Sequence, residues 1–208
     1  MRHCLRHGVL PVLGALWLCL LASAVPAASQ PRLGPSLGAE REVGGFLMLR
    51  SGATRAAEGT LPLVGVGAGL RLSPSVEFGG EALFGVRPLR VSPKDSPDRA
   101  ELSLGYGGAQ LRVTSSGGLL VDRVSAGVLL AAGTARVRSS LIGEEVGTDN
   151  FAILEPSLGL RWRLYPALAI GVEGGYRLTL GSDALPWIEA GSLQGPTMTF
   201  SLLLVRDP

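Results

Sequence analysis

The sequence predicts an all-β protein: an eight-stranded antiparallel up-and-down transmembrane β-barrel, preceded by a cleaved signal peptide. Three observations carry this. Apolar and polar residues alternate with period two over long runs, which is the periodicity of strands and not of helices. Long and short connections between those runs alternate along the chain. No amphipathic helical pattern of useful length follows the N-terminal apolar run.

The chain opens with Arg2 and Arg6, an apolar run from Val9 to Leu21, and a small-residue end, Ala22-Ser23-Ala24 and Val25-Pro26-Ala27-Ala28. A positive start, a short apolar centre and an Ala-x-Ala-like end are the parts of a secretory signal peptide. Residues 1–28 are therefore expected to be a signal, with cleavage after Ala24, Ala27 or Ala28, and residues 29–40, rich in Pro, Gly and Ser, a flexible leader. The barrel domain is expected over 41–208. All histidines (His3, His7) and cysteines (Cys4, Cys19) fall inside the signal. The chain left after cleavage has no imidazole or thiol, which excludes a Ser-His-Asp triad, a Cys-His pair, a His/Cys zinc site and disulfides. Removing Arg2 and Arg6 from 19 basic groups leaves 17 against 17 acidic ones. With no basic run, nucleic acid is not an expected partner.

The strands follow in order. Val43 to Arg50 is the least regular. Val64 to Leu72 sets Gly65, Gly67, Gly69 and Arg71 against an apolar face, and Val76 to Phe84 sets Glu77 and Glu81 against Val76, Phe78, Ala82 and Phe84. Leu102 to Val113 changes phase near Gly107-Gly108, which suggests a bulge. Val124 to Thr134 is the fifth. Leu154 to Leu164 places Leu154, Leu158, Leu160, Trp162 and Leu164 opposite Glu155, Ser157, Gly159, Arg161 and Arg163. Ala167 to Leu180 carries Leu168, Ile170, Val172, Tyr176, Leu178 and Leu180 on one face and Glu173 and Arg177 on the other. Met198 to Leu204 is the eighth.

Ser73-Pro74-Ser75, Thr114 to Gly118, and Tyr165-Pro166 mark short turns; Ser51 to Pro62, Val86 to Ala100, Arg138 to Asn150 and Gly181 to Gly195 read as long connections. A sheet whose two ends face different environments has this asymmetry, as outer-membrane barrels do. Two hairpins share the frame R-L-x-P-x-φ-x-φ-G-x-E, starting at Arg71 and again 92 residues later at Arg163. This is one hairpin solution used twice.

The less apolar face carries Gly, Ala, Ser and isolated Arg and Glu, which suits a narrow interior filled by side chains better than a solvated surface. Hairpin registers that set Leu72 against Val76 and Leu164 against Leu168 place Arg71 opposite Glu77, Glu155 opposite Arg177, and Glu173 diagonal to Arg161. An interior ion-pair network of Arg71/Glu77, Glu155/Arg177 and Arg161/Glu173, with Glu81 and Arg163 nearby, is expected, because isolated buried charges are costly. The alternative is a soluble lipocalin-like barrel binding an apolar ligand, with Leu168, Ile170 and Val172 inward. A narrow conduit for small solutes is a variant of the membrane reading.

From Val43 to Val205 the pattern resembles the eight-stranded outer-membrane β-barrel families, such as the transmembrane domain of outer membrane protein A. That resemblance implies the cell outer membrane, lipid as the surrounding partner, long loops available to an extracellular partner, and a monomer. The chain departs from it at the last strand, Phe200 to Val205, which does not end on an aromatic residue, and in a thin aromatic girdle of Phe84, Tyr106, Trp162, Tyr165 and Tyr176.

No catalytic role, cofactor or metal is expected. Gly65-Val66-Gly67-Ala68-Gly69 lacks the G-x-G-x-x-G spacing and a following helix, so these are interior strand glycines. Each of Glu77, Glu81, Glu155 and Glu173 has an arginine on its own face, which favours ion pairs over acid–base catalysis. Glu144, Glu145 and Asp149 have the chemistry of a cation loop but read more simply as a solvated one. Outer-membrane lipid hydrolases and acyltransferases of this size generally use a histidine, which the mature chain lacks.

Overall fold

The computed structural model describes residues 43–57, 59–91, 100–116, 122–140, 143–181 and 191–206. The expected signal peptide, leader and C-terminal dipeptide lie outside these residues. The strands are β1 (Gly44–Ala56), β2 (Gly59–Ser73), β3 (Val76–Gly85), β4 (Leu89–Val91), β5 (Ala100–Ser116), β6 (Arg123–Ser139), β7 (Glu145–Tyr165), β8 (Leu168–Leu180) and β9 (Gly195–Arg206). All neighbours are antiparallel in the order β3-β2-β1-β9-β8-β7-β6-β5-β4, and β3 also pairs with β5. Eight long strands thus close into an up-and-down ring, with short β4 continuing the line of β3 along β5. Closure leaves no strand edge within the ring.

Side-chain direction follows the apolar alternation. On β8, Ala169, Gly171, Glu173, Arg177 and Thr179 are buried, while Ile170, Tyr176, Leu178 and Leu180 are exposed. On β7, Phe151, Ile153, Glu155, Gly159 and Arg161 are buried and Leu154, Leu158 and Leu160 exposed. Leu168, Ile170 and Val172 therefore share the outward face, contrary to the soluble ligand-binding alternative. The outward positions from Leu47 to Ala53, Pro62 to Leu72, Val76 to Phe84, Ser103 to Ser115, Val124 to Thr134, Ala152 to Leu164, Leu168 to Leu180 and Pro196 to Leu204 carry no charged residue. Leu158 is 68% exposed and Phe200 55%. A contiguous apolar surface of this kind is far larger than the few hundred Å² that water-facing monomers carry.

Above this belt, at the end opposite the short turns, the outward face becomes charged. Register pairs Arg90 with Glu101, Glu101 with Arg138, and Arg138 with Glu145, so opposite signs alternate across β4, β5, β6 and β7. β6 and β7, of 17 and 21 residues, reach beyond the apolar belt.

Three segments differ from the sequence-based expectation. Ser51 to Pro62 is not a long loop: β1 runs to Ala56 and β2 starts at Gly59. Ala57 stands in the two-residue connection at φ 48°, in the left-handed region that primed hairpin turns use. Here the inward Gly52, Thr54 and Ala56 and the outward Ser51 and Ala53 offer little polarity contrast, so the period is hidden. Arg138 to Asn150 is likewise mostly strand, β6 running to Ser139 and β7 starting at Glu145; the alternation is hidden because no residue of β7 from Glu145 to Asn150 is buried. Third, β5 has no bulge at Gly107-Gly108; it pairs with β6 in unbroken register from Ala100–Ser139 to Ser116–Arg123. Its even positions from Ala100 to Thr114 stay inside. What changes near Gly107 is the interior, apolar at Leu102, Leu104 and Tyr106 and polar at Gln110, Arg112 and Thr114.

The repeated hairpin frame folds the same way twice. Arg71 faces Glu77, then the register shifts between Arg71 and Ser73, so that Ser73, not Leu72, meets Val76. The β7–β8 hairpin shifts at the equivalent place, between Arg163 and Tyr165, and Tyr165, not Leu164, meets Leu168.

Candidate functional site

The lumen is where the polar chemistry is concentrated, and each charged group reaches it through the inward parity of its strand. β1 supplies Arg50, β2 Arg71, β3 Glu77 and Glu81, β5 Gln110 and Arg112, β7 Glu155 and Arg161, and β8 Glu173 and Arg177; all are buried. Glycines opposite them make the room. A Cβ on Gly171 would stand 2.7 Å from Ser201 Oγ and 3.5 Å from Arg161 Cγ, and one on Gly159 2.7 Å from Ser125 Oγ and 3.4 Å from Glu173 Cγ.

Glu77 is the hub toward the turn end. Arg161 Nη1 and Nη2 donate to its Oε1 and Oε2 at 2.8 and 3.0 Å, a two-pronged contact. Arg112 Nη1 donates to Oε2 at 3.4 Å, and Arg71 Nε lies 3.5 Å from Oε1. Glu173 is the second hub, accepting from Arg112 Nη2 at 2.9 Å, from Ser157 Oγ at 2.6 Å and from Arg50 Nη2. Arg50 Nη1 also donates to Glu81 Oε1 at 2.6 Å. With its amide oriented to satisfy its neighbours, Gln110 donates to Glu81 Oε2 at 3.2 Å and accepts from Arg112 Nη2 at 2.8 Å. Arg50 and Arg112 each span two carboxylates, so the pairs form one connected network.

Relative to the expected pairs, Arg71 and Glu77 come together. Arg161 does not reach Glu173; its guanidinium crosses the lumen to Glu77, and Gly171 leaves room for its stem, since a Cβ there would stand 3.5 Å from Arg161 Cγ. Glu155 and Arg177 fall in the gap of the β7–β8 ladder between Leu154–Leu178 and Ser157–Gly175, and no direct ion pair joins them among the described residues. Tyr106 stands between: its hydroxyl donates to Glu155 Oε2 at 3.3 Å, and the Arg177 guanidinium lies 5.6 Å from its ring centroid. Arg177 donates to backbone oxygens, Nε to Leu193 O at 2.8 Å and Nη2 to Arg55 O at 3.2 Å. Arg163 is exposed at the turn rim, outside the buried cluster, because the register shift beside it ends the strand alternation. The sequence reading missed Arg50, Gln110 and Arg112. Arg50 ended the expected first strand, and the supposed bulge in β5 obscured the continuous inward series Tyr106, Gly108, Gln110 and Arg112.

Apolar side chains fill the rest. Leu61, Leu63, Leu83, Leu102, Val137 and Phe151 belong to one cluster at the loop end, into which Leu193 folds from the chain ahead of β9. Phe46, Met48, Ala169 and Leu203 form a smaller cluster at the turn end of β1, β8 and β9. Glu144, Glu145 and Asp149 form no metal-binding group, and no group of three or more potential ligands occurs among the described residues.

No protein-family model matches the chain, and no curated protein matches it. Among solved structures it is similar to Neisserial surface protein A at 13% identity and a TM-score of 0.52, covering 78% of this chain and 96% of that one. Ail, the attachment invasion locus protein of Yersinia pestis, aligns at 12% identity and a TM-score of 0.48, over 79% of this chain and 98% of that one. The first of these likenesses is one of fold: the chain has the architecture of the eight-stranded outer-membrane β-barrels.

Proposed function

We propose that this chain is an outer-membrane β-barrel without catalytic activity, acting structurally or through the surface at its loop end. The observation that carries this reading is the inversion of the sheet. A charge-free apolar belt faces outward while ion-paired and apolar side chains fill the interior, an arrangement stable in lipid and not in water. The filled lumen argues against the conduit variant: Leu61, Leu83, Leu102, Arg112 and Arg177 are among the fully buried side chains. Glu77, Glu81 and Glu173 each bind arginine, and Glu155 binds Tyr106, which supports a structural role for these carboxylates over an acid–base one. At the loop end, the charged outer face of the extended β6–β7 hairpin is the surface available to an extracellular partner. The closed ring favours a monomer.

Membrane fractionation with electrophoresis of boiled and unboiled samples tests the reading. Recovery in the outer membrane with a heat-dependent mobility shift is expected; recovery in the soluble periplasm overturns it. In planar bilayers the protein is expected to show no conductance, and steady ion-conducting steps would restore the conduit.

A further inference from the structure

We propose that the turn-end mouth of the lumen binds a phosphate group, supplied in the membrane by the headgroup of an acidic phospholipid. A pocket opens there beside the β7–β8 turn, between the end of β2, the start of β6 and the end of β9. Arg71, Arg123, Arg161 and Arg163 line it, and Asp122 is its one acid among the described residues. The carboxylate behind it, Glu77, already serves three guanidiniums, those of Arg71, Arg112 and Arg161. Asp122 accepts from the backbone nitrogen of Arg163, and Arg123 Nη1 donates to Pro74 O, which holds both mouth arginines' strands at the rim. The pocket therefore concentrates positive charge beside a low-dielectric interior, where an anion is strongly attracted.

Phosphate fits better than a simple halide. The rim guanidiniums, exposed Arg163 and half-buried Arg123, each carry several N–H groups in one plane, which suits an ion with several oxygens. The remaining walls are amphipathic: Trp162 and Tyr165 with Pro166 and Leu168. Tyr165 is 68% exposed, at the boundary where the apolar belt ends. Amphipathic rings occupy the headgroup level of a bilayer, and acidic lipids are drawn to arginines there. The lipid source rests on the membrane reading above; the phosphate chemistry does not.

The test uses the full chain folded in a non-ionic detergent, with the heat-dependent mobility shift recorded for every sample, so that failure of the barrel reading is seen separately. Phosphatidylglycerol is added in mixed micelles and inorganic phosphate in parallel, and bound species are counted by native mass spectrometry. The expected result is retained phosphatidylglycerol, weakened about tenfold or more in Arg123→Gln/Arg163→Gln. Arg136→Gln/Arg138→Gln, at the opposite rim, leaves it unchanged. Should the double variant lose the mobility shift, Arg163→Gln alone, at an exposed side chain, gives the same comparison. Binding of inorganic phosphate alone, lost in the mouth variants, supports the site with a solution source. No bound phosphate species, or equal loss in variants of both rims, overturns the proposal.

Discussion

Strands β2, β3, β5 and β7 fill the two ends of the lumen with opposite chemistry, while β1, β8 and β9 set a small apolar cluster beside the turn-end charges. Toward the loops, the inward positions of β2, β3, β5, β6 and β7 carry Leu63, Leu83, Leu102, Val137 and Phe151. Toward the short turns, the inward positions of β2, β3, β5 and β7 carry Arg71, Glu77, Arg112 and Arg161. Strand β5 makes the change within itself, between Tyr106 and Gln110. Both fillings exclude water, yet they do so by different physics. Apolar packing is non-directional and tolerates an exchange of shape at constant volume. A buried ionic network is directional, and removing one member strands the others. The lesson is that one sealed tube can have a permissive plug and an intolerant one.

That contrast makes ordered predictions. Glu77→Gln, nearly isosteric, removes the charge shared by Arg71, Arg112 and Arg161; an unfolding cost of about 3–5 kcal/mol is expected in urea titrations of the micelle-embedded protein. Leu102→Ala, a deletion in the other plug, should cost about 2–5 kcal/mol, but Leu102→Met, as conservative in shape as Glu77→Gln, less than about 1.5 kcal/mol. If Glu77→Gln proved as mild as Leu102→Met, the two plugs would not differ in kind. Tyr106→Phe, at the junction, takes the hydroxyl from Glu155 and should cost about 1–3 kcal/mol in the same titration. The smallest effect falls outside both plugs: Ala57→Gly relieves a non-glycine residue at φ 48° and should raise stability by less than about 1 kcal/mol.

The sequence made the outward face legible because lipid imposes one rule on every strand: a wet residue there is expensive. Leu154 to Leu164 and Leu168 to Leu180 could be read residue by residue for that reason. The inward face obeys no single rule. Leu104 and Arg112 are both interior residues of β5, and a reader who takes polarity as direction infers a bulge that is not there. Strand lengths were hidden where neither face of β7 is buried, from Glu145 to Asn150. Within the network, hairpin register located Arg71 against Glu77. The contacts of Arg50 with Glu81 and Glu173, and of Arg161 with Glu77, cross the lumen between strands that are not adjacent, and pairwise register says nothing about chords of a ring.

The direct test of the inverted barrel is a set of single cysteines along β7, at Ile153, Leu154, Ser157, Leu158 and Leu160, in a chain with Cys4 and Cys19 replaced by Ser. In liposomes, thiols at Leu154, Leu158 and Leu160 are expected to react with a lipid-soluble maleimide, and those at Ile153 and Ser157 to resist it. Reaction at the odd positions, or at neither set, would contradict a sheet that turns its apolar face to lipid.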